Sequence, residues 1–203
     1  MRKRQLEIIL SQIPPHPKPR LSLEQYTTPP HLAARLLWIA AYTYGDIVDQ
    51  EVVDLGAGTG RLGLGAALLG SSYVVLVDVD VNALKVSLEQ AERLGLRAWV
   101  DAVCSDVRMF HASRRVDCIV QNPPFGVHRR GADVEFLESA IRLANVIYSI
   151  HKAETLDYLQ RRVRRAGKSV RLLFEEVVRL PPTMPHHYKR EHAIRVGVVR
   201  ISN

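Results

Sequence analysis

From residue 51 onward, short apolar runs alternate with longer stretches in which apolar side chains recur at helical spacing. The runs "EVVDLG", "YVVLVDVD", "RAWVDAVCSDV" and "VDCIVQN" predict strands, and the intervening stretches from about Leu62 to Leu69 and about Asn82 to Leu94 predict helices. Upstream, "HLAARLLWIAAY" predicts a helix beginning near Pro29 or Pro30, because proline suits a first helical turn. Downstream, the pattern predicts a helix near Val134 to Leu143, a strand around "VIYSIH" and an Arg-rich helix from about Ala153 to Ala166. Two closing strands follow, "SVRLLFEEVVRL" and "HAIRVGVVRIS". This alternation predicts an α/β fold, a mostly parallel sheet with helices on both faces, and the wholly apolar "YVVLV" and "CIV" are what doubly covered strands require. We expect a single domain over residues 21–203, preceded by a basic, proline-rich N-terminal arm over residues 1–20, since "PPHPKPR" cannot propagate a helix.

Composition adds three constraints. With 203 residues, 47% of them hydrophobic, the chain can bury a full core. No apolar run approaches the roughly 20 residues that span a bilayer, and the first residues lack a signal-peptide pattern, so a cytoplasmic location is expected. Cys104 and Cys118 both sit in apolar, strand-like contexts and read as buried thiols. The net charge of +7 favours a polyanionic partner.

"VVDLGAGTGRLG" reads as strand, glycine-rich turn, helix, with Gly56, Gly58 and Gly60 allowing a sharp turn and close approach of a ligand. Asp54 at the tip of that strand suits an ammonium-bearing ligand better than a pyrophosphate. Asp78 ends the next strand, where a carboxylate can accept both hydroxyls of a ribose, whereas Asp80 reads as a solvated strand-end carboxylate. Asp106 closes the third strand, where its side chain and the Val107 N–H can address an adenine edge. Acidic residues at three successive strand ends point to S-adenosyl-L-methionine as cofactor. "NPPFG" then ends the fourth strand at the same edge: its prolines stiffen the turn and leave it few donors, which places the Asn122 amide beside the methyl donor.

Together "DLGAGTG", "VDVD", "CSDV" and "NPPFG" resemble the amino methyltransferases with an (Asp/Asn)-Pro-Pro-(Tyr/Phe) motif. More narrowly, "LEQYTTPPHLAARLL", "GADVEFLESAI" and "VIYSIHK" resemble the methyltransferase-like protein five group, from about Leu21 to Ser202. The resemblance implies a class I S-adenosylmethionine-dependent methyltransferase fold, Rossmann-like and seven-stranded, that modifies adenosine N6 in small-subunit ribosomal RNA. It implies cofactor contacts from Gln25, Thr28, Gly56, Thr59, Arg61, Asp78, Asp106 and Val107, and a catalytic clamp of Asn122, Pro123, Pro124 and Phe125. The glycine loop, "GAGTGRLG", departs from relatives that carry cysteines there. It also implies a small zinc-ribbon activator as partner. In the strand order expected for this fold the third strand is an edge, where Trp99 and Val103 would anchor such a chain.

In such a clamp the Asn122 oxygen and the Pro123 carbonyl each accept one N–H of the adenine amine, and Phe125 stacks on the base. Substrate RNA contacts are expected from His128, Arg129 and Arg130 just after the clamp, and from His187, Tyr188, Lys189 and Arg190 in "PPTMPHHYKR". The histidines of that stretch have no cysteine or carboxylate cluster beside them, so no metal site is expected. Protein glutamine and DNA adenine methylation are the competing enzyme readings, because Asn-Pro-Pro-aromatic turns also orient side-chain amides. An RNA-binding module on the same fold is the non-enzymatic one.

Overall fold

The computed structural model describes residues 1–126, 128–180 and 192–203. In chain order the elements are α1 (Lys3–Ser11), α2 (Pro30–Tyr42), β1 (Glu51–Leu55), α3 (Arg61–Leu68), β2 (Tyr73–Asp78), α4 (Val81–Arg93) and β3 (Val100–Cys104). They continue with β4 (Val116–Gln121), α5 (Ala132–Leu143), β5 (Ala144–Lys152), α6 (Leu156–Arg165), β6 (Ser169–Leu180) and β7 (His192–Ser202). The strands form one seven-stranded sheet in the order β3-β2-β1-β4-β5-β7-β6. Pairing is parallel from β3 to β5 and antiparallel between β5 and β7 and between β7 and β6.

Alternation along each strand divides the core between two faces. Val52, Cys118, Val120, Tyr148 and Val198 pack with α1, α2, α3 and α4 on one side. Val53, Ile119, Ile147 and Val199 pack with α5 and α6 on the other. Both faces being covered, the central strands are apolar almost throughout, as expected for crossover connections. After β3 the chain returns to the middle of the sheet to form β4 beside β1, so the carboxyl ends of β1 and β4 flank the point where strand order reverses. Open α/β sheets place their ligand crevice there.

Two expectations are corrected. Residues 1–20 are not an arm: α1 lies within the expected arm and buries Leu6 and Leu10 completely, with Ile13 beyond it 2% exposed. The prolines that suggested an arm all follow this helix, and Leu6, Leu10 and Ile13 recur at the spacing of one helical face. Cys118 is buried as expected but Cys104 is exposed, because β3 has a neighbour on one side only and its apolar sequence does not cover it. Among the described residues no helix is long and apolar enough to cross a membrane.

Replacing Leu10 with Ala should lower unfolding stability by about 2–5 kcal/mol in a denaturant titration, the cost of a core cavity. A loss below about 0.5 kcal/mol would mean that α1 is not part of the core.

Candidate active site

The crevice at the carboxyl ends of β1, β2 and β4 opens into a cavity whose other wall is the segment between α1 and α2. Gln25, Thr28, Asp54, Gly56, Gly58, Thr59, Arg61, Asp78, Asp106, Val107, Asn122, Pro124 and Arg129 all line it. The structure thus brings together side chains from residue 25 to residue 129. Gly60, Pro123, Phe125, His128 and Arg130 do not line this cavity. Gly60 caps the start of α3, and the half-buried Phe125 packs against the core. His187, Tyr188, Lys189 and Arg190 lie outside the described residues.

The glycine turn is shaped by what its neighbours leave open. Gly56 has φ +71°, and a Cβ there would sit 2.7 Å from the Phe136 ring, so neither the backbone nor the space admits another residue. Gly58 has φ +55° with nothing within 4 Å of a Cβ position, so its backbone faces the cavity. The turn is held by carboxylates: Gly58 N–H donates to Asp78 Oδ2 at 2.8 Å, and Gly63 N–H to Asp54 Oδ2 at 2.7 Å.

The acidic residues differ in their state. Burial pushes the Asp54 carboxyl up to about 7, against the opposing bond from Gly63 and with a further push from Asp78. Burial also raises Asp78, partly offset by the N–H groups of Asp80 and Gly58. Asp106 is half-exposed, and two-pronged hydrogen bonding from the Arg108 guanidinium, at 2.9 and 2.7 Å, lowers it to about 2.

Asp80 departs from expectation. It is 2% exposed rather than solvated, and it caps α4 through Asn82 N–H at 3.0 Å. Its Oδ2 receives His16 Nε2 at 3.2 Å, Arg20 at 2.8 Å and Gln25 Nε2 at 2.9 Å. His16 Nδ1 accepts the Lys18 N–H, which leaves the ring proton on Nε2 to donate. Burial alone would raise this carboxyl, but the bonds from Gln25, Arg20 and Asn82 hold it well below the usual range.

The same segment, residues 13–29, forms a strap across the cavity with two further fastenings. Arg61 is buried, and its guanidinium donates to the carbonyls of Ile13 at 2.5 Å and Thr28 at 2.6 Å; burial lowers it to about 10. Glu24, which the sequence reading left without a role, is 6% exposed and accepts Phe125 N–H at 2.6 Å and His128 N–H at 2.7 Å. Gln25 and Arg61 therefore wall the cavity while their polar groups fasten the strap. The Gln25 oxygen also accepts Arg20 N–H at 2.7 Å.

At the end of β4 the Asn122 amide nitrogen donates to Thr28 Oγ1 at 3.0 Å, which fixes the amide plane. Its oxygen, Oδ1, is buried and has no hydrogen-bond partner, and the same is true of Thr59 Oγ1. Arg61 Nε is a third such atom on a residue of the cavity wall, and since unmatched buried polar atoms are rare and costly, the three mark where a ligand's polar groups fit. On the opposite face of the sheet a buried polar chain secures the end of β4, just before Asn122. Gln121 Nε2 donates to Ser149 Oγ at 2.9 Å, and Ser149 Oγ meets His151 Nε2 at 2.6 Å. Burial lowers His151 to about 3, so it is a neutral member of that chain.

At the rim, Arg129 pairs with Glu135, which Arg108 also approaches at 3.8 Å, while His128 and Arg130 are exposed. Leu180 and His192 pair four residues beyond the Val196 partner of Lys152, so β6 and β7 run past the end of β5 at this edge of the sheet.

The profile of the methyltransferase small domain family matches residues 34–147. The chain is 34% identical over 206 residues to the rRNA N(6)-adenosine-methyltransferase METTL5 of Danio rerio, covering 100% of this chain and 99% of the relative. It is 33% identical to the Drosophila melanogaster protein of the same description, over 98% of this chain and 96% of that one. A crystal structure of a Pyrococcus horikoshii protein matches with a TM-score of 0.90 at 37% identity, over 100% of this chain and 98% of that one.

The raised Asp54 gives a signed pH dependence. Between its ordinary value of 3.8 and about 7, the folded chain holds a proton that the unfolded chain has lost, so rising pH favours unfolding across that window. The stability of the wild type relative to Asp54→Asn should therefore fall from pH 5 to pH 7, by on the order of 1 kcal/mol per pH unit at the steepest, and then level off. Parallel pH profiles in chemical denaturation would show that Asp54 titrates normally.

Proposed function

This chain belongs to the methyltransferase small domain family and, within it, to the group that holds the METTL5 rRNA N(6)-adenosine-methyltransferases, and on that premise we propose that it methylates adenosine N6 in small-subunit ribosomal RNA. It is an S-adenosylmethionine-dependent methyltransferase, and the cofactor supplies the electrophilic methyl group. The observation that carries the proposal is Asn122 Oδ1, a buried acceptor without a partner whose amide plane is fixed by Thr28.

An exocyclic adenine amine is a weak nucleophile because its lone pair is delocalised into the ring. Asn122 Oδ1 and the Pro123 carbonyl would each accept one of its N–H groups and draw the nitrogen towards a pyramidal geometry. Neither proline carries an N–H, so no donor of the turn competes for those acceptors. The exposed part of the Phe125 ring would stack on the base. Stacking of that kind contributes roughly 1–3 kcal/mol per base and needs the target unpaired or flipped out. Alignment supplies much of the acceleration.

Cofactor contacts are assigned to Asp54, Gly56, Gly58, Thr59, Asp78, Asp106 and Val107, with Gln25, Thr28 and Arg61 on the side of the strap, while Gly60 shapes the turn from outside the cavity. The residues present fit that cofactor: Asp54 suits an ammonium, Asp78 stands at the strand end where a ribose is held, and Thr59 Oγ1 has no partner. His128, Arg129 and Arg130 stand next to the clamp, where cations favour a phosphate backbone. The net charge of +7 supports a nucleic acid over a protein glutamine as substrate. A small zinc-ribbon activator belongs to the same reading. β3 is a sheet edge that carries Val103 at 37% exposure, and Trp99, immediately before it, is 51% exposed.

The direct test is incubation with labelled S-adenosylmethionine and separated RNA, DNA and protein fractions, followed by mapping of the labelled base. Label is expected on N6 of one adenosine of small-subunit RNA, and label confined to protein or DNA would refute the proposal. Asn122→Ala should spare cofactor binding measured by calorimetry yet lower turnover by roughly 10²–10³, the scale for one well-placed polar group in a transition state. Near-normal turnover in that variant would remove the clamp.

A further inference from the structure

We propose that Glu24 is a positioning residue that couples the two halves of the active site, so that cofactor and target base bind cooperatively; this rests on the methyltransferase reading above. Pro123 and Pro124 have no N–H, so Phe125 carries the first backbone donor after Asn122. Glu24 takes that donor with one oxygen and the His128 N–H with the other. Two backbone donors of the loop around the clamp, 101 and 104 residues away in sequence, thus meet one buried carboxylate.

That carboxylate is itself tightly placed. Glu24 follows a single helical turn over Leu21–Leu23 and adopts a left-handed conformation, φ 49° and ψ 45°, which residues other than glycine adopt when their surroundings over-determine them. Its N–H donates to the Leu21 carbonyl at 2.9 Å and its carbonyl accepts Tyr26 N–H at 2.7 Å. Residues 22–28 on either side form one wall of the cofactor cavity. Four residues on, Thr28 Oγ1 holds the Asn122 amide. One strap thus touches the cofactor cavity with its inner surface, the clamp side chain through Thr28, and the clamp loop through Glu24.

A ligand that fills the cavity packs against the inner surface of the strap and restrains it further, and a restrained strap holds its two acceptors more firmly against the loop and Asn122. Any gain that cofactor gives to target binding must be returned by target to cofactor, since the linkage is reciprocal.

The test uses the full chain and S-adenosylhomocysteine, which leaves the clamp without a methyl donor. In the wild type, S-adenosylhomocysteine should slow amide hydrogen exchange at Phe125 and His128. It should also tighten an RNA oligonucleotide carrying the mapped adenosine by at least about fivefold. Glu24→Gln retains one acceptor but sets an NH₂ against a backbone donor. In that variant both effects should vanish, kcat should fall roughly tenfold to a hundredfold, and affinity for S-adenosylhomocysteine should stay within about threefold. Thr28→Val should likewise lower kcat, with Thr28→Ser restoring it.

A purely structural Glu24 would lower the melting temperature and leave the coupling intact, which would overturn the inference. So would a wild type whose Phe125 and His128 exchange is indifferent to S-adenosylhomocysteine. That measurement needs no variant to fold and no RNA. A chain that shows the exchange response but transfers no methyl group to RNA would refute the functional reading alone.

Discussion

The active site depends on how one buried carboxylate is satisfied. Asp80 lies at the end of β2, where an unpaired negative charge would carry a heavy desolvation penalty. Donors from His16, Arg20, Gln25 and the first turn of α4 remove that penalty, and in doing so they fix both the strap and the helix. Arg61 and Glu24 repeat the principle with opposite signs of charge, each meeting two backbone groups of a different segment. Bonds to ionised groups are stronger than those between neutral ones, so a segment with little regular structure is held by a few charge-assisted contacts.

How much of this was legible follows from the range of each signal. The glycine turn, the aspartates at the strand ends and Asn-Pro-Pro-Phe were readable because each is set by local backbone demands: positive φ, a strand terminus, missing donors. The alternating faces of the sheet were readable because side-chain period mirrors burial. Asp80 and Glu24 were not, since their partners lie 55 to 104 residues away along the chain and no short window contains them. Cys104 misled because an apolar strand looks the same at an edge and in the middle of a sheet. The N-terminal helix was hidden by the prolines that follow it, which outweighed a three-residue apolar stripe.

The site also shows a division of labour between polar atoms. Most of those that fasten the strap, together with Gln121 Nε2, Ser149 Oγ and His151 Nε2, are matched inside the protein, which braces the end of β4. Asn122 Oδ1 and Thr59 Oγ1 are left unmatched where the cavity lies. Stiffness around the site and vacant hydrogen-bonding capacity within it come from the same inventory of groups.

That the strap precedes all its anchors along the chain has a consequence for biosynthesis. Residues 13–29 leave the ribosome before Asp80, Asn122 and the Phe125 and His128 amides that hold them, which are made 55 to 104 residues later. Contacts of such long sequence separation form late. A nascent chain can assemble β1, α3 and β2 and tie the strap to Arg61 and Asp80 before β4 exists, but the fastenings to Thr28 and Glu24 wait until the clamp loop has emerged. Cofactor capture and the order of translation are thereby tied together: the first segment of the pocket to be synthesised receives its last fastenings only when the clamp loop appears.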